Sequence, residues 1–318
     1  MPGIQFTKAS RKQAKASILI EGLSGDSKSG LALALALVLA DNDWEAVFAV
    51  DSENKSLSLY EGNTLHTGER VNPFNICELS DETGYKPSAY KEAQDLAIKY
   101  HGKSLVNDSI SHMWQYKGGV LDMVSKATAA LPSKNNQLAW GSPEIVFEKN
   151  LIYALLRNPN IHIINTVRVK DKIIQGTDAT GKGTLEKLPD QPIIAPQIEF
   201  EPDLVLMMKS PGNNQGLPPT CIIEKSRYSI FQKNDLVVMN LKLIEQLKQY
   251  LSEGVDPETL LAAQHQDYIE ATISYLDGHP SAKSIWPTLK AKAGFKDTAL
   301  EKIPLAALKA LFTTLTAE

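Results

Sequence analysis

Residues 22–29, GLSGDSKS, match the phosphate-binding loop motif G-x-x-x-x-G-K-[ST] at all but one of its fixed positions. Ser27 stands where the motif has its second glycine. In such a loop the backbone N–H groups surround the phosphates, the lysine reaches the β- and γ-phosphate oxygens, and the next hydroxyl holds Mg²⁺. The spacing therefore assigns Lys28 to the phosphates and Ser29 to the metal. The predicted cradle consists of Gly22, Ser24, Gly25, Asp26, Ser27, Lys28, Ser29 and Gly30.

The serine at position 27 weakens this match without removing it. Glycine lets the chain turn tightly beside a phosphate, and a serine there has to adopt a strained backbone that costs about 1 kcal/mol. That cost is modest beside the roughly −7 to −8 kcal/mol of a micromolar nucleotide complex. We therefore predict a nucleotide site, and the alternative is a strand-to-helix turn that binds nothing.

Short apolar runs alternate with helical patterns over the first half of the chain. Four runs have the length and composition of buried strands, at 15–22, 45–53, 103–114 and 161–170. Helical patterns lie between them, at 31–40, 88–102 and 142–159. This alternation predicts an α/β fold with a mostly parallel sheet flanked by helices, followed by a small C-terminal helical region.

Polar residues fall at the ends of the predicted strands, where ligands collect in parallel sheets. Asp108 ends the third strand, and its carboxylate can hold the water shell of Mg²⁺ beside Ser29. Hydrolysis also needs a group that orients the attacking water. Glu53 and Asp51 are both candidates, because alternation along a strand sends their side chains the same way.

A second stretch, GTDATGKG at 176–183, also contains G-x-x-x-x-G-K. Gly183 follows its lysine in place of a hydroxyl residue, and no apolar helix comes after it. Residues 171–197 are rich in Gly, Thr, Lys and Pro, and we interpret them as one long mobile loop. His112 is interpreted as a residue that packs or hydrogen-bonds locally. Trp114 and Trp140 are interpreted as residues that pack in the core, and a frame for the nucleotide is the alternative.

Composition and charge limit the class of protein. The net charge of −4 over 318 residues excludes a surface that is basic all over, but not a local basic groove. Cys77 and Cys221 have no pairing or zinc spacing, which predicts a reducing compartment. The basic start lacks the apolar core of a secretory signal, and the longest apolar run is too short to span a bilayer. We expect a cytoplasmic protein with no membrane segment.

Four segments resemble RecA-like recombinases, in the order in which that superfamily has them. FAVDSENKSLSLY (48–60) is similar to the stretch with the catalytic glutamate, which Glu53 matches. LVNDSISHMW (105–114) resembles the second nucleotide motif, with Asp108 as its aspartate. IINTVRVK (163–170) resembles the γ-phosphate sensor segment, with Thr166 where glutamine is common. IIEKSRY (222–228) resembles the strand that reaches a neighbouring subunit's nucleotide, which makes Lys225 and Arg227 trans-acting residues.

The pattern is closest to that of phage-encoded RecA-like ATPases of the AAA type, some of which are single-strand annealing proteins. It covers about residues 15–235 and departs from the family at Ser27 and Thr166. The shared boxes are Asp108–Trp114, Ala139–Gly141, Arg168–Lys170 and Lys225–Arg227.

The resemblance implies an ATPase that uses ATP and Mg²⁺ and acts on single-stranded DNA in recombination or annealing inside a bacterial host cell. It implies a RecA-like core at 15–235, with a basic arm at 1–14 before it and the helical region at 236–318 after it. Residues acting in trans require head-to-tail assembly into a ring or filament. The catalytic set so implied is Glu53, Lys28, Thr166, Lys225 and Arg227.

Basic residues in or beside the 171–197 loop are the DNA-binding candidates, because they can neutralise phosphates without reading sequence. They are Arg168, Lys170, Lys172, Lys182 and Lys187, and the basic start with Lys8, Arg11, Lys12 and Lys15 is a second candidate. A solvated surface loop is the alternative for the first group. For the whole chain, the alternatives are a nucleotide-binding assembly module with little hydrolysis and an ATPase that acts on a protein partner.

Overall fold

The computed structural model describes residues 13–177, 183–210, 217–254 and 257–316. Contacts group the chain into a large unit at 14–251 and a small unit that begins at 252. No helix among the described residues is long and apolar enough to cross a membrane.

A mixed sheet forms the centre of the large unit. Its order is β3-β2-β4-β5-β1-β7-β8-β9, and β6 pairs with β5 alone. The pairs among β1 to β5, and the pair of β1 with β7, are parallel, whereas β8 pairs antiparallel with both β7 and β9. The strands in the described residues are β1 Ser17–Gly22, β2 Val47–Asp51, β3 Asn75–Glu78, β4 Ser104–Asp108, β5 His162–Thr177, β6 Gly183–Pro192, β7 Leu204–Ser210, β8 Thr220–Ser226 and β9 Leu236–Val238.

Helices cover both faces of this sheet. The α-helices of the large unit are α1 Lys28–Leu39, α2 Pro87–Lys99, α3 Ser111–Gln115, α4 Val120–Ala130, α5 Asn136–Trp140, α6 Pro143–Leu155 and α7 Leu241–Ser252. The predicted α/β fold with a mostly parallel sheet flanked by helices is confirmed. The short edge strand β3 is not predicted by the sequence pattern, because three of its four residues are exposed and no apolar run marks the element.

Alternation along the central strand β1 divides the core in two. Ile18 and Ile20 face the cluster that contains α1, whereas Leu19 belongs to the cluster on the opposite face of the sheet. Every residue of α1 except Ser29 is buried, as its apolar sequence predicts. The helix that follows the candidate loop is therefore fixed on all sides, and it holds the loop against the end of β1.

The prediction of one long loop at 171–197 is wrong over most of its length. β5 continues to Thr177 and pairs antiparallel with β6, with Ile174 opposite Glu186 and Lys172 opposite Leu188. The Gly and Pro content favoured a loop, but the β-branched residues at 173, 174, 177 and 184 favour strands. We call this element the β5–β6 hairpin. Residues 178–182, including Lys182, lie outside the described residues.

The chain ends in helices, as predicted. α8 Pro257–Gly278, α9 Pro280–Lys292 and α10 Leu305–Thr316 make up the small unit, whose core contains Ile269, Ile303, Leu308 and Leu311. Helix α7 belongs to the large unit, where Ile244 and Leu247 are buried in the cluster of α1. The predicted C-terminal region at 236–318 thus contains one helix of the large unit and all three of the small one.

Candidate functional site

The loop between β1 and α1 turns through two left-handed residues. Gly25 has φ +88°, and Ser27 has φ +60° and ψ +27°. The Asp26 carboxylate accepts a hydrogen bond from the Leu23 N–H at 2.6 Å, and this bond stabilises the turn. Ser27 adopts a backbone conformation that glycine takes without strain, so the strain predicted for this position is confirmed. The serine changes the energy of the loop rather than its path.

Gly22 is required by close contacts at the start of the loop. A Cβ on this residue would lie 2.9 Å from both Asp26 Oδ2 and Met208 Cβ. At Gly30, on the first turn of α1, a Cβ would make an ordinary contact with the Tyr60 ring at 3.4 Å. Close approach therefore requires a glycine at position 22 but not at position 30.

Lys28 points back into the loop. Its Nζ donates a hydrogen bond to the Leu23 carbonyl at 2.7 Å, and the residue is only 8% exposed. Burial lowers the pKa of this ammonium group, while Glu53 and Asp108 nearby act in the opposite direction. The cation is therefore held beside the loop amides with two carboxylates close by.

Asp108 joins the loop helix to the sheet. Its Oδ2 accepts a hydrogen bond from Ser29 Oγ at 2.5 Å, and its Oδ1 accepts one from the Thr166 hydroxyl. Burial raises the pKa of this carboxyl to about 6, and the two hydroxyl donors offset part of that effect. Thr166, predicted as a phosphate sensor, has its hydroxyl on Asp108 and is fully buried.

The oxygen donors of Ser29 and Asp108 fit Mg²⁺. They are one hydroxyl and one carboxylate, and Mg²⁺ commonly takes few protein ligands and keeps several waters. The raised pKa of Asp108 also indicates a buried carboxyl group with too little positive charge around it. Among the described residues, no group of three or more His, Cys, Asp or Glu is placed to hold a metal ion.

Glu53 and Asp51 differ in what their carboxylates contact. Both oxygens of Asp51 accept backbone N–H groups, from Glu53 at 2.7 Å and Leu57 at 2.8 Å, and the residue is fully buried. Burial favours a raised pKa for Glu53, but the hydrogen bond and charge of Arg168 outweigh it and lower the pKa. Asp51 is therefore bonded to the backbone of the turn after β2, while the Glu53 carboxylate is bonded by the side chains of Arg168 and Ser109.

Arg168 lies in the site itself. Its Nε donates to Glu53 Oε1 at 2.7 Å, and an Nη donates to the Tyr116 hydroxyl at 2.7 Å. The sequence pattern places Arg168 among the DNA-binding candidates and does not mark Tyr116 or Tyr60. No motif spacing links these residues, because Arg168 is 115 positions from Glu53 along the chain.

Lys225 and Arg227 lie at the opposite edge of the sheet. Because β8 runs antiparallel, Ser226 pairs with Leu204 at the start of β7, whereas Met207 near its end pairs with Glu21 beside the loop. Lys225 Nζ donates to the carbonyls of Glu199 and Phe200, at 3.1 and 2.5 Å. Arg227 donates to Asp203 at 3.0 Å. Neither side chain contacts the Lys28 loop of its own chain.

The other DNA-binding candidates lie on or near the β5–β6 hairpin. Lys170 is exposed, and the backbones of Lys172 and Lys187 are in the two strands. Lys182 lies outside the described residues, as do Lys8, Arg11 and Lys12 of the basic start.

Three residues interpreted as local packing groups do pack locally. His112 Nδ1 lies 3.0 Å from Ser52 Oγ and 3.2 Å from Ser109 Oγ, and burial with the nearby Arg168 lowers its pKa to about 4. Trp114 and Trp140 pack against each other with ring centroids 6.0 Å apart. These interpretations are confirmed.

No family model matches this chain, and no curated protein matches it either. The geometry of the chain's own residues therefore carries the functional assignment.

We expect Ser27→Gly to raise the free energy of unfolding by roughly 0.5–1 kcal/mol. A serine in the left-handed conformation costs about 1–2 kcal/mol, and the larger conformational entropy of glycine in the unfolded chain offsets part of the gain. Urea unfolding of the two proteins measures the difference. Ser24→Gly is the matched control in the same loop, since Ser24 has a negative φ and the change should destabilise. An unfolding midpoint of Ser27→Gly below that of wild type would contradict this account.

Proposed function

We propose that this protein is a Mg²⁺-dependent ATPase with a RecA-like core. The observation that carries the proposal is the convergence of Lys28, Ser29, Asp108 and Glu53 at one edge of the sheet. Ser29 bonds Asp108 directly, and both Glu53 and Asp108 act on the charge of Lys28. A lysine, a hydroxyl and two carboxylates beside a turn of backbone amides are the groups that phosphoryl transfer from ATP to water requires.

Each residue has a distinct role in this proposal. Lys28 exchanges the Leu23 carbonyl for the β- and γ-phosphate oxygens when the nucleotide binds. Ser29 and Asp108 would hold Mg²⁺, which would neutralise charge on the phosphates, and Thr166 keeps Asp108 oriented through its hydroxyl. Glu53 orients the attacking water and accepts its proton, whereas the two oxygens of Asp51 accept backbone N–H groups of the turn after β2.

We also propose that Lys225 and Arg227 act on the nucleotide of a neighbouring subunit. About half of the Arg227 side chain is exposed, and its edge of the sheet faces away from the loop of the same chain. Such residues complete a site only when copies assemble head to tail, as a ring or a filament. Assembly and hydrolysis would then depend on each other, as they do with an arginine finger.

Single-stranded DNA is the proposed partner, in recombination or annealing of the phage type. The support is a set of lysines on the β5–β6 hairpin, Lys170, Lys172 and Lys187, on an element that leaves the sheet at the same edge as the candidate site. Phosphate contacts from its lysines need no base recognition. A nucleotide-dependent assembly module and an ATPase that acts on a protein partner are the competing functions.

We expect Lys28→Ala to weaken ATP binding about 100-fold or more, because it removes the cation that bonds the phosphates. Displacement of a fluorescent ATP analogue in the presence of Mg²⁺ measures the affinity. Lys126→Ala is the matched control, since this exposed lysine on α4 pairs only with Asp122 four residues earlier. Unchanged ATP affinity in Lys28→Ala would remove the loop from the proposal.

Glu53→Gln should bind ATP with an affinity within about twofold of wild type, but hydrolyse it about 100- to 10,000-fold more slowly. The amide keeps the size of the side chain and loses its ability to accept a proton. Phosphate release under saturating ATP measures the rate, with the exposed Glu45→Gln as the control. Turnover at the wild-type rate would show that another group orients the water.

Binding to a labelled single-stranded oligonucleotide should weaken about 10-fold or more between roughly 50 and 200 mM salt, because phosphate contacts release counterions. Fluorescence anisotropy measures both affinities, and replacing Lys172 and Lys187 by glutamate should weaken binding at low salt. An absence of binding at both salt concentrations, or an affinity that does not change with salt, would favour a protein partner.

A further inference from the structure

Arg168 occupies a junction between the candidate loop and Glu53. In the parallel pairing of β1 with β5 it lies directly opposite Gly22, the first residue of the loop. From there its guanidinium group reaches the Glu53 carboxylate at 2.7 Å. The side chain therefore bridges the strand beside the loop and the segment that follows β2.

The backbone of Arg168 is fixed on both sides. Its N–H donates to Ser111 Oγ at 2.9 Å, and its carbonyl accepts the Ile193 N–H at 2.7 Å. Ser111 is the first residue of α3, and Ile193 directly follows the β5–β6 hairpin. The guanidinium group thus starts from a well-defined position.

The far end of the Arg168 side chain is fixed by Tyr116. The Tyr116 hydroxyl accepts a hydrogen bond from the guanidinium group at 2.7 Å. The Tyr116 ring packs on His112 with centroids 3.9 Å apart and on Tyr85 at 6.1 Å. An aromatic cluster therefore holds the arginine, and the arginine holds the glutamate.

We propose that Arg168 is the positioning residue for Glu53 in ATP hydrolysis. This inference rests on the proposed ATPase function. The arginine bonds Oε1 of the Glu53 carboxylate, and the Ser109 side chain also bonds this carboxylate, so the side chain is fixed where it meets the attacking water. The same pairing keeps Glu53 ionised, in agreement with its lowered pKa.

A role in stability alone explains this arrangement less well. The two side chains are 32% and 21% exposed, and partly exposed ion pairs contribute little to folding stability. A role in DNA binding would require the guanidinium group to leave two partners at hydrogen-bonding distance. Positioning uses the contacts as they stand.

The test compares steady-state ATP hydrolysis in the full-length wild type, Arg168→Ala, Arg168→Lys and Tyr116→Phe. We expect Arg168→Ala to lower kcat about 10- to 100-fold with KM within about twofold, because the misplaced carboxylate affects only the chemical step. Arg168→Lys should recover part of the loss, and Tyr116→Phe should lower kcat about 2- to 5-fold. Arg70→Ala, a change at an exposed arginine, is the matched control.

A double-mutant cycle separates positioning from independent contributions. In the Glu53→Gln background, Arg168→Ala should have no further effect on kcat, because the group through which it acts is already changed. Additive losses, a large rise in KM, or full activity of Arg168→Ala would overturn the inference. Absence of ATP hydrolysis by the wild type would instead overturn the proposed function on which it rests.

Discussion

The Asp108 carboxylate is the interaction on which the candidate site depends. It bonds Ser29 at the start of α1 and Thr166 on β5, and its backbone carbonyl accepts the Ser52 N–H after β2 at 2.8 Å. Four elements therefore meet at this one residue. The carboxyl group is buried, and without its hydrogen-bond donors it would destabilise the folded protein. The loop, the proposed metal ligands and the segment with Glu53 all take their positions from this arrangement.

The charged groups of the site are already held in place by the protein itself. Lys28 is held by a carbonyl of its own loop and Glu53 by Arg168. Such preorganisation matters because groups that are fixed before the reaction need not reorganise during it. A bound triphosphate would supply oxygens to Lys28 in place of the Leu23 carbonyl. The loop is also fixed in advance, because the left-handed backbone of Ser27 gives it the path that a glycine would give, at some cost in stability.

The sequence predicts those parts of the site that depend on local pattern. Lys28 and Ser29 follow from motif spacing, and Asp108 and Glu53 follow from their places at the ends of apolar runs, because parallel strands bring their carboxyl ends together. The link between Glu53 and Arg168 is a contact between side chains far apart in the chain, and no periodicity reports it.

The errors have equally physical causes. Glycine and proline content favoured a loop where Ile174 and Glu186 pair across two strands. The edge strand β3 gains its order from β2 rather than from its own apolar content.

Calorimetric titration of the wild-type protein with ATP, with and without Mg²⁺, is the decisive experiment for the proposed nucleotide site. We expect one site per chain with micromolar affinity that falls when Mg²⁺ is removed. An absence of binding in both conditions would contradict the proposed site.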